Sequence, residues 1–421
     1  MNIQNAGGGA GHDVGGLRPR REGKVPVAIV GPTGYTGLEL MEMLAGHPRM
    51  RVAMLATARK LERPVSIVEE FPRLAGRLGD GDGVMRMIDY EAIAAGARLA
   101  FLCMPHEAAM VHAPELLKRG VKVVDLSAAY RLKDAGVYER FYGHAHTDTA
   151  NLKHAVYGLP ELFREEIRGA RLVANPGCYP TAAALALWPL VKAGLVRPET
   201  IVINAASGAT GAGREAKAHL TLVEAGDNFS AYGIGVHRHQ PEIEQTLQFG
   251  LEAGKKGGRV GVLFVPHLLP IARGILETII CDVRGEGVTT EMVQGCLREF
   301  YGKSESAGGG NVLKNGEGNG LEFNMSRSPA GGTPAPLVQA GRGLVVVRDE
   351  APTLRDVQRT AMVHVNARVV GGDGGEGGGG SGGARRVVVV AAIDNLSKGA
   401  SAQAVQNGNL MMGMGELDGI L

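Results

Sequence analysis

In the first half of the chain, short apolar segments rich in β-branched residues alternate with segments whose apolar positions recur at helical spacing. Such alternation is typical of a parallel sheet covered by helices on both faces. The pattern predicts strands at residues 25–30, 51–56, 99–104, 121–126 and 171–174, and a helix at residues 35–45. We therefore expect an α/β domain with a parallel sheet in this part of the chain.

After about residue 195 the apolar segments become longer, and fewer helices separate them. The predicted elements are strands at 201–206, 260–266, 274–283 and 386–393, and helices at 242–249, 290–301 and 397–411. We expect the strands at residues 260–266 and 274–283 to be neighbours in an antiparallel or mixed sheet. This half is therefore expected to form a second, α+β domain.

A chain of 421 residues is long for one hydrophobic core, so two domains are expected. We place the first at residues 25–177 and the second at residues 178–396, with a helical tail at residues 397–421 that completes the first. Residues 1–24 lack apolar periodicity and are expected to form a flexible extension. Ten of the fourteen residues at 371–384 are glycine, which predicts a loop inserted between two strands.

Charge and cysteine content exclude several classes of function. The formal net charge is +2, from 45 basic and 43 acidic residues, so nothing favours nucleic acid as a partner. No apolar run approaches the roughly 18 residues of a membrane span, and no signal peptide is evident. The four cysteines show no CxxC spacing, which argues against a disulfide framework or a metal site. We expect a cytoplasmic protein that binds neither membranes nor metal.

Residues 175–181, Asn-Pro-Gly-Cys-Tyr-Pro-Thr, place Cys178 between an apolar strand and an apolar helix that we expect to open at Pro180. Unpaired N–H groups and the helix dipole at such a junction favour a thiolate over a thiol. Cys178 is therefore a candidate nucleophile. The residues alone also allow a buried structural cysteine.

A glycine-rich turn follows the first strand and opens a helix, which is the context of a dinucleotide pyrophosphate site. The candidate cofactor-binding residues in this turn are Gly31, Thr33, Gly34, Tyr35, Thr36 and Gly37. The spacing is GxxGxxG and matches the usual fingerprint only in part, so a plain strand-to-helix turn is the alternative. After the second strand, Arg59 and Lys60 stand where a carboxylate would favour NAD, which indicates NADP unless they are solvated surface charges.

Two histidines, His237 and His239, precede a predicted helix and face the same way if the segment is extended. Histidine is the natural acid and base near neutral pH, and His239, nearer the helix, is the preferred candidate. Either could instead be structural. Candidate cations for an anionic substrate are Arg131, Arg214 and Arg273, which the sequence does not rank.

Seven motifs follow one another in order along the chain. They are GPTGYTG (31–37), DLSAAYRL (125–132), NPGCYPT (175–181), SGATGAGR (207–214), HRHQPEI (237–243), PHLLPIARG (266–274) and IDNLSKGASAQAVQNGN (393–409). Together they resemble the N-acetyl-gamma-glutamyl-phosphate reductase family, which is related to aspartate-semialdehyde dehydrogenase. The resemblance covers most of residues 25–410. Ala129, where the family usually has aspartate, Ala402 and Gly408 depart from its pattern.

The resemblance implies a Rossmann domain for NADP(H), to which Ser207, Gly208 and Asn395 would add contacts, and an α+β domain for catalysis and for assembly into a homodimer or homotetramer. It also implies reduction of N-acetyl-glutamyl 5-phosphate to the semialdehyde, with release of phosphate, through a thioester on Cys178 in arginine biosynthesis. Two alternatives stay open. One is a related reductase of aspartyl phosphate or of carrier-linked aminoadipyl phosphate, and the other is a non-catalytic NADP-sensing protein.

Overall fold

The computed structural model describes residues 23–78, 83–302, 343–371 and 384–421. Within these ranges the chain forms one eight-stranded and one seven-stranded sheet, each with helices packed on it. The predicted two-domain α/β architecture, with a parallel sheet followed by a mixed one, is confirmed. Most of the predicted extension at residues 1–24 and of the glycine-rich loop at residues 371–384 lies outside the described residues.

The first sheet has the strand order β3-β4-β2-β1-β5-β6-β8-β7 and is parallel except where β3 pairs with β4. Its strands are β1 (Val25–Val30), β2 (Met50–Thr57), β3 (Val65–Ser66), β4 (Val84–Met87), β5 (Leu99–Leu102), β6 (Lys122–Asp125), β7 (Val156–Tyr157) and β8 (Leu172–Ala174). The connecting helices are α1 (Tyr35–Ala45), α2 (Ile67–Glu70), α3 (Tyr90–Gly96), α4 (His106–Lys118), α5 (Ala135–Tyr142), α6 (Thr149–Leu152) and α7 (Pro160–Gly169). Strand order reverses between β1 and β5, and open α/β sheets bind ligands in the crevice at such a point.

The second sheet has the order β10-β11-β9-β12-β15-β14-β13. Its strands are β9 (Ile201–Gly208), β10 (Ser230–Ala231), β11 (Val262–Leu269), β12 (Ile275–Asp282), β13 (Val345–Val347), β14 (Val363–Val370) and β15 (Arg386–Ile393). The α-helices of this half, together with the C-terminal one, are α8 (Cys178–Ala193), α9 (Leu222–Ala225), α10 (His239–Ala253), α11 (Thr290–Gly302) and α12 (Ala402–Met411).

The prediction that β11 and β12 are neighbours is wrong, because β9 lies between them. β9 pairs in parallel with β11 and antiparallel with β12. The segment joining β11 to β12 passes the end of β9, where Gly208 donates its N–H to the carbonyl of Gly274 and Ala209 donates to that of Ile271. Because β9 pairs along both of its edges, this apolar strand lies in the interior of the sheet. The spacing of apolar residues along the chain does not reveal which strands become neighbours.

Helix α8 is the centre of the second core. Its sequence is apolar on every side, and it is buried from Tyr179 to Val191. It packs against β12 and β15 on one side and against α10 and α11 on others. An all-round apolar helix is stable only inside a core, so the position of its first residue, Cys178, is fixed by this packing.

The C-terminal segment packs on the first sheet and its helices. It begins with a π-helical turn, Ser397–Ser401, and continues as α12, all ten residues of which are buried. Its polar side chains find partners there, since the Gln403 and Asn407 amides both donate to the carbonyl of Gly158 at 2.6 and 2.9 Å. The segment therefore forms part of the same core as the strands at the N-terminal end of the chain.

One buried carboxyl group differs from these hydrogen-bonded side chains. Glu277 on β12 is 0% exposed, and neither of its oxygens has a hydrogen-bond partner among the described residues. It lies in register between Ala205 of β9 and Ala391 of β15. Burial raises the pKa of Glu277 well above its ordinary value, which favours the protonated, uncharged carboxyl group.

Replacing this group by an apolar side chain should stabilise the protein. We expect Glu277→Val to raise the free energy of unfolding by about 1–3 kcal/mol, because it removes an unpaired buried polar group. The gain should grow above pH 4.5, where the unfolded chain ionises Glu277 while the folded chain keeps the proton. Denaturant titration at pH 4.5 and 7 measures both effects. Glu277→Gln, which keeps a buried polar group, is the control, and a less stable valine variant would contradict the expectation.

Candidate active site

Cys178 is the first residue of α8. β8 ends at Ala174, the chain turns through Gly177, and the helix opens at Cys178, two residues before the predicted start at Pro180. Pro180 still lies in the first turn, where its missing N–H costs no hydrogen bond. The side chain of Cys178 is half-buried and lines a cleft of about 530 Å³.

A buried carboxylate holds the start of this helix. Oε1 of Glu242, on α10, accepts hydrogen bonds from the Gly177 N–H and from the Tyr157 hydroxyl, both at 2.8 Å. Its Oε2 lies 3.6 Å from Nη1 of Arg131. Glu242 is 1% exposed, so these contacts are shielded from water. The same carboxylate therefore positions the residue before Cys178 and a cation in the cleft.

Two backbone carbonyls also hold Arg131 in place. Its Nε donates to the carbonyl of Asn175 at 2.7 Å and its Nη2 to that of Leu126 at 2.9 Å. The side chain is 8% exposed and lines the cleft beside Cys178. A guanidinium fixed in this way is suited to an anionic ligand because it loses little conformational freedom on binding.

Both candidate histidines line the same cleft. α10 begins at His239, three residues before the predicted start. A Cβ built on Gly177 would lie 2.6 Å from Nε2 of His239, so only glycine allows the ring this close to the start of α8. The ring of His237 packs edge-on against Tyr179 and Tyr232. The structure therefore brings Cys178, His237 and His239 together.

The prediction of a favoured thiolate is wrong. Burial raises the pKa of the Cys178 thiol to about 12, and this outweighs the lowering by Arg131 and by the Tyr179 N–H. Burial also lowers the pKa of His239 well below its usual value and that of His237 to about 4. At neutral pH the cleft therefore contains a thiol and two neutral imidazoles.

Several residues that sequence reasoning did not single out also line the cleft. They are Tyr142, Lys217, His219, Tyr232 and Arg238, together with the predicted Ser207 and Gly208. Lys217 and His219 follow the small residues of the SGATGAGR motif, and a cation directly after a glycine-rich turn is the signal that could have indicated them. Lys217 thus adds positive charge to that of Arg131, and Glu224 in the same lining adds negative charge.

The C-terminal segment packs directly against Cys178. A Cβ built on Gly399, in the π-helical turn, would lie 2.8 Å from Cβ of Cys178. The amide of Asn175 donates to the carbonyl of Ala400 at 3.1 Å. Glycine at position 399 is thus required for the close approach of this turn to the cysteine.

The glycine-rich turn lies at the crevice between β1 and β5. Gly31 has φ of 82°, and a Cβ there would overlap the carbonyl oxygen of Cys103. At Gly37 a Cβ would lie 2.6 Å from the carbonyl oxygen of Pro32, whereas Gly34 faces open space. The turn therefore needs glycine at two positions and leaves the N-terminus of α1 accessible. Thr33, Gly34 and Thr36 line a surface pocket there, while Tyr35 is half-buried.

The cations predicted by sequence are distributed over three places. The guanidinium of Arg59 donates to Oγ1 of Thr33 at 3.2 Å, and Lys60 beside it is exposed. Arg214 donates to the carbonyl of Thr33 at 3.0 Å and lies over the ring of Phe71, so it faces the glycine-rich turn and does not line the cysteine cleft.

Arg273 is committed to ion pairs between the two halves of the chain. It contacts both carboxylate oxygens of Glu39 at 2.8–2.9 Å and Oδ2 of Asp394 at 2.9 Å. It does not line the cysteine cleft. Asn395, next in the chain, accepts from the Gly274 N–H at 2.8 Å and donates to Oγ1 of Thr210 at 2.9 Å. These residues hold the cleft walls in place, and the structure gives no support to substrate binding by Arg273.

A doubly wound nucleotide-type sheet joined to a mixed sheet, with a cysteine and two histidines in the cleft, defines an enzyme of the semialdehyde dehydrogenase class. Two family descriptions match: "Semialdehyde dehydrogenase, NAD binding domain" over residues 26–170 and "Semialdehyde dehydrogenase, dimerisation domain" over residues 178–308. The chain belongs to the N-acetyl-gamma-glutamyl-phosphate reductase family, since curated proteins of that name are about 40% identical to it over almost its whole length.

Two such relatives illustrate the match. The reductase of a Cyanothece species is 39% identical over 399 residues, which cover 95% of this chain and 97% of the relative. That of Geobacter metallireducens is 40% identical over 395 residues, which cover 94% and 97%.

Solved structures share the fold. Aspartate semialdehyde dehydrogenase II from Vibrio cholerae superposes with a TM-score of 0.60 at 17% identity, over 92% of this chain and 98% of that one. The Candida albicans aspartate semialdehyde dehydrogenase with NADP gives 0.57 at 14% identity, over the same shares. Among the described residues, no helix has the length and apolar character needed to span a membrane.

The raised thiol pKa predicts how Cys178 reacts with iodoacetamide. Because only the thiolate reacts, the alkylation rate should rise about tenfold per pH unit from pH 7 and keep rising to pH 10. Mass spectrometry of the Cys178 peptide measures it, with glutathione, whose rate levels off near its ordinary thiol pKa, as the reference. A rate that stops rising below pH 8 would show a stable thiolate.

The Glu242 carboxylate should hold the thiol pKa up, since it is one of the charges that disfavour the Cys178 thiolate. We expect Glu242→Gln, which keeps an acceptor oxygen for the Gly177 N–H, to lower that pKa and to speed alkylation at pH 8 by about 3–10-fold. The same peptide assay measures the change. Glu244→Gln, on the same helix, should leave the rate as it is. Equal rates in the two variants would mean that Glu242 acts only through structure.

Proposed function

We propose that this protein catalyses the NADPH-dependent reduction of N-acetyl-L-glutamyl 5-phosphate to N-acetyl-L-glutamate 5-semialdehyde, with release of phosphate, in arginine biosynthesis. The observation that carries the proposal is Cys178 at the start of α8, in one cleft with His239, His237 and Arg131. The relatives that are about 40% identical carry the name of that reductase, which supports the choice of substrate.

Covalent capture of the substrate is the first step. His239 takes the proton of the Cys178 thiol as the sulfur attacks the acyl phosphate carbonyl, and phosphate leaves to give a thioester. The low pKa of His239 keeps its imidazole neutral and able to accept that proton. We prefer His239 to His237, because the His239 ring lies directly against Gly177.

The residues at the glycine-rich turn fit a dinucleotide. The open face at Gly34 leaves the N-terminus of α1 accessible to a pyrophosphate, and Arg59 lies after β2, where a 2′-phosphate would be recognised. Bound NADPH supplies the hydride that reduces the thioester. Thr33, next to both Arg59 and Arg214, would contribute to holding the cofactor.

Reduction leaves a negatively charged oxygen that needs a proton. The imidazolium of His239, formed on capture, donates its proton to that oxygen and gives a thiohemiacetal. As the carbon–sulfur bond breaks, the hydroxyl proton returns through His239 to the sulfur, and the semialdehyde and the Cys178 thiol are released. The Gly177 N–H is already bound to Glu242 and is not available to this oxygen.

Cations in the cleft lining suit a substrate with a carboxylate and a phosphate. We assign Arg131 to one of these anions because its guanidinium is fixed in the lining that also includes Cys178. Lys217 and His219, which also line the cleft, would meet the other. Ser207 and Gly208 line the cleft itself and are candidates to contact both cofactor and substrate.

The remaining proposals concern the oligomeric state, the cellular location and the substrate of the enzyme. We propose a homodimer or homotetramer in the cytoplasm, and the match of residues 178–308 to a dimerisation domain supports assembly. Reductases of aspartyl phosphate or of carrier-linked aminoadipyl phosphate are the alternatives with the same chemistry, and the assay below separates the first of them.

The phosphate-dependent oxidation of semialdehydes with NADP tests the proposal. We expect N-acetylglutamate semialdehyde to be oxidised with a kcat/KM at least 100-fold above that of aspartate semialdehyde. Cys178→Ser should lower turnover at least 1,000-fold while NADPH binding, followed by fluorescence, stays within twofold, because the hydroxyl is a far weaker nucleophile. Preference for aspartate semialdehyde would overturn the substrate, and retained turnover in the serine variant would overturn the covalent route.

A further inference from the structure

Two imidazoles and a carboxylate converge outside the cysteine cleft. His106 and Glu107 open α4, and His144 follows α5. Oε1 of Glu107 lies 3.5 Å from Nε2 of His106 and 3.6 Å from Nε2 of His144. We propose that His106, Glu107 and His144 form a binding site for a divalent transition-metal ion of the zinc type.

The ring of His144 has a nitrogen that faces the carboxylate. Nδ1 of His144 lies 3.3 Å from the carbonyl of Ala145, which can only accept, so Nδ1 is the donor in that contact. Nε2 of the same ring is buried, has no hydrogen-bond partner among the described residues and lies 3.6 Å from Oε1 of Glu107. A cation bound here would have ligands on both sides.

A hydrogen bond on the other side of its ring orients His106. Nδ1 of His106 is 2.7 Å from the hydroxyl of Tyr138. Outer hydrogen bonds of this kind fix the ring of a metal-binding histidine. Two imidazoles and one carboxylate form a donor set that zinc uses where a fourth position stays open.

The separations between ligand atoms are close to those of a metal site. All three ligand atoms lie within 4.8 Å of one another. Zinc bonds of about 2.0–2.1 Å require donor atoms within roughly 4.2 Å of each other. The rings of His106 and His144 are stacked at 5.0 Å, so one of them must turn for both to bind. His144, with 34% of its side chain exposed, has the freedom to do so.

The side chain of Tyr142 lies between this site and the catalytic cleft. The ring of Tyr142 packs edge-on against His106 at 4.9 Å, and Tyr142 also lines the cleft, where the guanidinium of Arg238 lies 5.2 Å from its ring centroid. Arg238 carries the same sign of charge as the ion and weakens its binding. We therefore expect reversible binding and not a permanently held ion. The absence of CxxC spacing in the sequence does not bear on this site, because its ligands are histidine and glutamate side chains from two separate segments.

Titration with zinc chloride alone tests the proposal. Isothermal titration calorimetry of Cys178→Ser, in which the thiol cannot compete for the metal, should show one ion per chain. In that background, His144→Ala and Glu107→Gln should each weaken binding at least tenfold, as expected for the loss of a ligand. His154→Ala, which removes an exposed histidine of the same domain, should leave the affinity unchanged.

Cobalt provides a second readout. Co²⁺ bound at this site should show the visible absorption of a four-coordinate nitrogen and oxygen site, without thiolate charge transfer, in the wild-type protein as well. His144→Ala should abolish that absorption. Absence of zinc binding, equal affinity in His144→Ala, or loss of binding in His237→Ala in place of His144→Ala would each overturn the proposal.

Discussion

The site depends on one buried carboxylate. Glu242 accepts hydrogen bonds from the Gly177 N–H and the Tyr157 hydroxyl, and it lies beside Arg131. These contacts join the start of α10 to the start of α8, so His239 on one helix and Cys178 on the other share a fixed frame. The carboxylate also places negative charge near the N-terminus of α8, which adds to the effect of burial in raising the pKa of the Cys178 thiol.

A neutral thiol beside a neutral imidazole has a chemical advantage in a cell. An accessible thiolate is the species that oxidants and electrophiles attack. In the proposed mechanism the sulfur ionises only as His239 removes its proton, during the attack on the acyl phosphate. The low pKa of His239 and the raised pKa of Cys178 follow from the same cause, which is the exclusion of water by the surrounding helices and by the C-terminal turn.

Local pattern was sufficient to predict the two-domain α/β architecture, the strands at both ends of the chain, and the junction that carries Cys178. These features depend on the spacing of apolar residues and on glycine and proline near strand ends. The roles of Glu242, Gly399 and the three arginines were not predictable in this way, because each depends on a partner far along the chain. Glu242 and Gly177 are 65 positions apart. Arg273 and Arg214 stand in motifs as conspicuous as that of Arg131, yet only the last lies in the cleft. Desolvation of the thiol, likewise, is a property of the assembled core and not of the helix start.

The position of the C-terminal segment has a consequence for biosynthesis of the protein. The π-helical turn packs against Cys178, and α12 supplies part of the core under the first sheet. On a ribosome these residues emerge after all the strands that they cover. Neither the hydrophobic face of the first sheet nor the environment of Cys178 can therefore be completed before residues 397–411 have emerged. Until then the nascent chain presents an unfinished surface of the kind that chaperones bind.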